Sequence, residues 1–389
     1  MINFDRNTFL TQADAELDSF DAAVRLQKFN AIVDAIEKGE IAVDAPSDWH
    51  NMHCHTFYSY NFMQWSPLHV VLAAKILGLK YLGKVEFDVL NGLDEFRNAC
   101  NRLGIANAVG METRVYIPEY AEREINSPGE CGVAYHMGLG FHTEQLTGKA
   151  KAFAADLAQR AGNRTRTVVE RVNAALKDLQ LDFDADVIPL TPSGNPTERH
   201  VCSAYRMKAI KQFGDQAMEF WKSALNLSDD KAKKAAASIV ELEGSIRSSL
   251  MKSGGPGYIK PDATTFPSLV EMNAFVEECG ALPCAAWLNG FSAGEKDPEE
   301  LLSFHKSKGL KALAIIPDRN WNISDPAKKE ASIQNLYAVA AAAEKLGLPI
   351  TAGTELNSPG NKLVDDFSQE PLQKLMAQFL KGAEFACNL

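Results

Sequence analysis

Residues 50–61 read "HNMHCHTFYSYN" and place three of the chain's eight histidines within six positions. His53 and His55 are two apart, so on an extended strand both side chains leave the same face. They are either a pair of hydrogen-bonded strand histidines or two nitrogen ligands for one metal ion. Downstream, short β-type runs alternate with amphipathic helices: "NMHCHTF", the helix "SPLHVVLAAKILG", "YLGKVEF", the helix "GLDEFRNACNRLG", then "ANAVGMETRVYI". That alternation predicts βα units and a parallel sheet. In such folds ligands gather where strands end and loops begin, which puts both histidines at the functional rim.

Upstream, residues 1–48 read as a helical extension, because "FDAAVRLQKFNAIVDAIEKGE" repeats apolar residues at three and four spacing. Around 144 the rhythm changes to long polar helices, "TGKAKAFAADLAQRAGNRTRTVVERVNAALKDL" and "KAIKQFGDQAMEFWKSALNLSDDKAKKAAASIVELEGSIRSSLMKS", and strand signals return only near 262. After "GGPGYIKPD" the βα pattern resumes. The expected organisation is a helical extension (1–48), a first barrel part (49–143), a helical insertion (144–262) and a second barrel part (263–389), an α/β barrel interrupted once.

A chain of 389 residues with 46% hydrophobic content can fill such a core. Forty Lys and Arg against fifty Asp and Glu give a net charge of -10, which argues against nucleic acid as a partner and leaves room for a local basic pocket. No cationic leader opens "MINFDRNTFLTQADAELDSF", and the apolar run "LHVVLAAKILGL" is broken by Lys75 well short of a membrane span, so a cytoplasmic protein without membrane contact is expected. Seven cysteines, none in a CxxC pair, read as reduced and mostly buried thiols. Walker, nucleophile-elbow and dinucleotide motifs are absent.

Five predicted strand ends carry chemistry: His53 and His55; Glu86 and Asp88 in "KVEFDVLNG"; Glu112 in "GMETRVY"; His136 in "VAYHMGLGF"; and Glu355 in "TAGTELNSPGN". Imidazoles and carboxylates converging on one barrel mouth make a ligand set suited to zinc, manganese or iron. Each has a plain alternative: Glu112 as the ion-pair partner of Arg114, His136 as a satisfied core histidine, Asp88 as the cap of the helix at "GLDEF", and Glu355 as an acceptor in its Gly-rich turn.

The order of these motifs resembles the PHP family, the polymerase and histidinol phosphatase superfamily of metal-dependent phosphoesterases. "HCHTFYS" matches its His-x-His-Thr motif with a following Ser; "EFDVLNG" stands for its Asp-His-Asp motif, "GMETR" for its Gly-x-Glu loop, and "YHMGLG", "TERHVCSAYRMK", "AAWLNG" and "GTELN" for the later ones. The resemblance spans roughly residues 49–361 and implies a distorted (β/α)7 barrel with up to three metal ions. It implies one well-held ion among His53, His55, Glu112 and Glu355. A second, sharing Glu112 and taking His136, would be weak or absent because Trp287 stands where the family has His. A third is abolished by Phe87, Asn357 and the Tyr60–Asn61 pair.

By the same resemblance His200 would face the substrate as general acid with Arg199 beside it, and metal-bound hydroxide would attack a small phosphoester. Arg114, Lys260 and Arg319 stand at strand or insertion junctions and would hold the anionic, phosphorylated substrate. The competing expectation is a degenerate barrel without catalysis that binds an anionic ligand or a protein partner. A third is a metal-dependent hydrolase or lyase acting on a non-phosphate substrate.

Overall fold

The computed structural model describes residues 4–389, so the first three residues of the expected extension lie outside the described residues. Seven strands form one sheet in sequential order: β1 (Ser47–Cys54), β2 (Leu79–Phe87), β3 (Ala106–Tyr116), β4 (Val133–Leu139), β5 (Leu282–Trp287), β6 (Ala312–Ile315) and β7 (Ile350–Ala352). The sheet curls until its ends nearly meet. Beyond β7 the Thr354 and Glu355 amides donate to the His53 carbonyl at 3.0 and 2.8 Å, and the His55 amide donates to the Glu355 carbonyl at 2.8 Å. Gly353 makes this seam possible, since a Cβ there would run into the His53 backbone. The result is a distorted seven-stranded barrel, as expected.

Local chemistry explains the helices that pack around it. Helix Pro67–Ile76 starts on the Ser66 hydroxyl, which accepts from the His69 amide, with Pro67 in its first turn. Helix Leu93–Leu103 buries Leu93, Phe96, Ala99, Cys100 and Leu103, one stripe at helical spacing, and stops at left-handed Gly104.

An all-parallel sheet does not form. β4 runs antiparallel to both β3 and β5. Residues 117–132 contain one short 3-10 turn and no crossover helix, so the chain doubles back instead of returning to the floor. The end of β4 therefore lies at the floor of the barrel, where Leu389 packs against Gly140. Helix Met376–Cys387 closes this floor: Ala383 and Ala386 pack with Met52 and Ala108, and Gly382 approaches Ile350 so closely that any Cβ would strike its carbonyl oxygen.

From the floor, helix Gly148–Ala175 rises about 42 Å at 1.5 Å per residue. Its Ala150 and Leu157 join the core around the barrel, whereas Val168, Val169 and Val172 join a separate core with Tyr205, Trp221 and Ile246. The helices of residues 198–250 thus cluster around their own apolar centre above the mouth. At the opposite end of the chain, the N-terminal segment buttons onto the loop after the histidine motif. Trp65 Nε1 donates to the Gln12 carbonyl at 3.0 Å, the Ser66 amide donates to Asp18 at 2.6 Å, and both nitrogens of His69 lie 2.8 Å from acceptors on Asp18 and Phe9.

Candidate metal centre

β1 and β3 deliver three ligand-type atoms to one buried point. His53 Nε2 lies 3.2 Å and His55 Nε2 3.3 Å from Glu112 Oε2, and the two nitrogens are 3.3 Å apart. Metal bonds of about 2.1 Å in tetrahedral geometry place neighbouring ligand atoms roughly 3.4 Å apart, so the triangle is of the size one ion requires. All three side chains are buried, and together they form a candidate metal group. Glu355 Oε2 stands farther off, 4.0 Å from His55 Nε2. It accepts from Asn357 Nδ2, while Oε1 pairs with Arg319 at 2.9 Å. Glu355 and Leu356 both adopt left-handed backbone (φ 68° and 55°), costly for side-chain-bearing residues and found mostly where function demands it.

The hydrogen bonds behind His55 assign its tautomer. Ser59 Oγ donates to Glu86 Oε2 at 2.5 Å, because a carboxylate can only accept. Its remaining capacity faces His55 Nδ1 at 3.1 Å as an acceptor, so the ring proton sits on Nδ1 and the Nε2 lone pair points at Glu112. Glu112 Oε2 has no hydrogen-bond donor of its own within the barrel. Lone pairs facing one another in a dry site call for positive charge at their centre. The protonation balance says the same. Burial pulls His53 down, but the adjacent Glu112 carboxylate and the charge of Glu355 raise it overall. Burial pushes Glu112 up, but the two imidazoles hold it at about 2. The residues fit a divalent ion with three protein ligands and an open position, the usual form of a catalytic site.

Ser59→Ala removes the acceptor that orients His55. It is expected to weaken divalent-ion affinity about 10- to 100-fold while the fold persists, measured by competition with a chromophoric chelator.

Glu86 itself is no ligand. It is fully buried, 3.2 Å from Lys84 Nζ, and accepts from the amide and hydroxyl of Thr56. Nor does Asp88 cap the helix at Leu93; that position is Gly92, without a side-chain bond, and Asp88 Oδ1 instead accepts from Thr113 Oγ1 at 2.6 Å. Phe87 stacks on the His55 ring with centroids 4.1 Å apart.

Three expected site residues are elsewhere. His136 is register partner of Thr113, on the outer face of β4, whereas Tyr135 and Met137 face the cavity. Its Nε2 donates to Asn273 Oδ1 at 2.6 Å, since Asn273 spends its amide nitrogen on the Lys308 carbonyl. The register of β4 thus turns it away from the triad. His200 is the third residue of its helix: Nδ1 accepts from the Thr197 amide at 3.0 Å in a capping arrangement, and the ring does not line the cavity. Lys260 is exposed, and its neighbours Tyr258 and Ile259 line the wall instead.

Burial lowers His136 and His200 to about 4, and burial with the nearby His136 lowers His305 to about 3, from 6.5. Between pH 6.5 and 4 the unfolded chain takes up protons that these rings refuse when folded, so stability falls as pH falls across that window. His136 alone contributes roughly 3 kcal/mol to the loss. Denaturant midpoints at pH 7 and pH 5 check this, together with ring NMR signals that do not titrate above pH 5.

Arg114, Arg199 and Arg319 do meet, in a cavity of about 670 Å³ above the triad. Arg114 Nη1 pairs with Glu130 at 2.8 Å and its guanidinium lies 4.3 Å over Phe266; Arg199 Nη2 donates to Ser358 Oγ at 3.3 Å. The same cavity is lined by Arg164, Arg247 and Lys252, none of which the sequence singles out. Arg164 does sit beside Thr165 and four residues before buried Val168, on the apolar stripe of its helix, which is the one signal that marked it.

No protein-family model matches the chain, and no curated protein matches it. Solved structures do. An amidohydrolase from Chromobacterium violaceum, with bound sulfate and no metal, matches with a TM-score of 0.56 at 17% identity over 86% of this chain and 99% of its own. A protein from Bifidobacterium adolescentis, put forward as a metal-dependent phosphoesterase, matches with a TM-score of 0.52 at 19% identity over 86% and 98%. At these identities the likeness is one of fold: the interrupted barrel described above is an architecture shared with both.

Proposed function

We propose that the chain is a metal-dependent hydrolase of the PHP type that cleaves a small phosphoester. The observation that carries this reading is the buried His53–His55–Glu112 triangle at the base of a cation-lined cavity. A divalent ion held there supplies Lewis acidity and a water made acidic near neutrality. The chain's own residues do the rest. Arg319, fixed by Glu355, and Arg114, fixed by Glu130, orient the anionic group by paired donors. Phe87, packed flat on His55, keeps bulk water from the back of the site.

With His200 committed to its helix, the leaving-group proton falls to Tyr135. This residue lines the cavity beside Arg114, and burial, opposed by Arg114, holds its hydroxyl protonated above the usual range. The fold likenesses to hydrolases agree with this reading without specifying it.

The test is a screen of phosphoesters with added manganese, using protein purified without chelator, beside a His53→Ala control. About one ion per chain and turnover that disappears in the control are expected. Turnover equal in both sinks the assignment. A chain that retains an ion but cleaves no ester returns the non-catalytic barrel to first place.

A further inference from the structure

The cavity wall has two halves of opposite sign. The barrel half presents two arginines against four carboxylates, as suits a cation site. The insertion half presents Arg164, Arg199, Arg247 and Lys252 against Glu198 alone. Glu198 is already shared by two of these, at 3.0 Å from Arg247 Nε and 2.7 Å from Lys252 Nζ, and they hold it at about 2 against burial. That leaves Arg164 and Arg199. Arg164 reaches Asp88 only at 3.6 Å, and Arg199 has no carboxylate within 4 Å among the described residues. Burial, reinforced by Arg114 for Arg164 and by Arg247 for Arg199, lowers both guanidiniums, the behaviour of enclosed positive charge short of a counterion. Their relative position is fixed, since Thr165 Oγ1 donates to the Pro196 carbonyl at 3.2 Å.

A path joins this half to the triad. Arg114 lies two residues beyond Glu112 on β3, about 6.8 Å along the strand. It rests on Phe266, and Arg164 lies 5.0 Å over the same ring.

We propose that the insertion supplies an anion-binding pole centred on Arg164 and Arg199, so that the molecule occupying the cavity carries two anionic groups, one at the triad and one beneath the insertion. The second group is a phosphate, sulfate or carboxylate with donors arranged around it. What happens to the first group rests on the hydrolase reading; the binding of the second does not.

Two arms keep those apart. In the first, sulfate binding to the full chain is measured by calorimetry, with and without manganese. Binding should persist in His53→Ala and weaken about 10- to 100-fold in Arg199→Gln and in Arg164→Gln, which lie on different helices, with partial rescue in Arg199→Lys. Binding lost in His53→Ala, or unchanged in both Gln variants, overturns the pole, whatever the catalytic result.

In the second arm, kcat/KM is compared for butane-1,4-diol bisphosphate, the monophosphate of 4-hydroxybutyrate and butyl phosphate. The two esters with an anionic group at each end should exceed butyl phosphate by about 10- to 100-fold, the larger ratio telling phosphate from carboxylate, and the ratio should fall toward one in Arg199→Gln. Equal rates in the wild type, or a ratio unmoved by the substitution, overturn the proposal. No turnover of any ester sinks the hydrolase reading and leaves the first arm decisive.

Discussion

Glu112→Gln is expected to lower bound divalent ion from about one per chain to background and to cut kcat/KM by on the order of 10³-fold, the several kcal/mol that a Lewis-acid centre supplies. Glutamine keeps the volume but gives two facing imidazoles only a neutral oxygen. Glu112 Oε2 lies at nearly the same distance from both, 3.2 and 3.3 Å. His136→Gln is the contrasting case. Its ring is turned to Asn273 outside the barrel, so ion content should remain at the wild-type value. Elemental analysis of both variants, purified without chelator, decides between the observed site and one that includes His136. An ion lost from His136→Gln and retained in Glu112→Gln would reverse the assignment.

Lys84→Met should destabilise the protein by about 3–5 kcal/mol, read from the denaturant midpoint. Lys84 and Glu86 are both fully buried, 3.2 Å apart, and Lys84 Nζ also donates to the Asn91 carbonyl at 2.7 Å. Removing the ammonium leaves a carboxylate enclosed with hydroxyl and amide donors alone. The double variant Lys84→Met/Glu86→Leu should recover much of that stability, because two apolar side chains need no counter-charge. It should not recover ion affinity, since Ser59 then lacks the acceptor that aligns it with His55. Divergence of the two readouts separates packing from ligand orientation.

Much of this was legible in the sequence. His53 and His55 at strand period, and Glu355 just past a strand, follow from alternation and turn chemistry alone, whereas Glu112, expected at a strand end, lies inside β3 four residues before its last. What failed was direction. Nothing in "GVAYHMGLG" reveals that its strand runs backwards or its register, which pairs Met137 with Glu112 and so leaves His136 on the outer face. His200 failed for a different reason: Thr197 and His200 have the spacing of a capping box, with imidazole in place of the usual Glu or Gln, and the local role won. Arg164 and Arg247 were illegible because a charge on a polar helix reads as solvated, and Lys252, just past a helix end, reads the same way. Only the fold of the insertion over the mouth turns them inward.

The place where the sheet joins itself has one more implication. His53 and His55 belong to the first stave of the barrel and Glu355 follows the last, so ligand and hoop meet at the same few peptide groups. An ion held by the triad is therefore expected to tighten the ring at this seam, and its removal to loosen it there. Exchange of the amide hydrogens of His55, Thr354 and Glu355 reports that loosening directly, ahead of any change at the far staves.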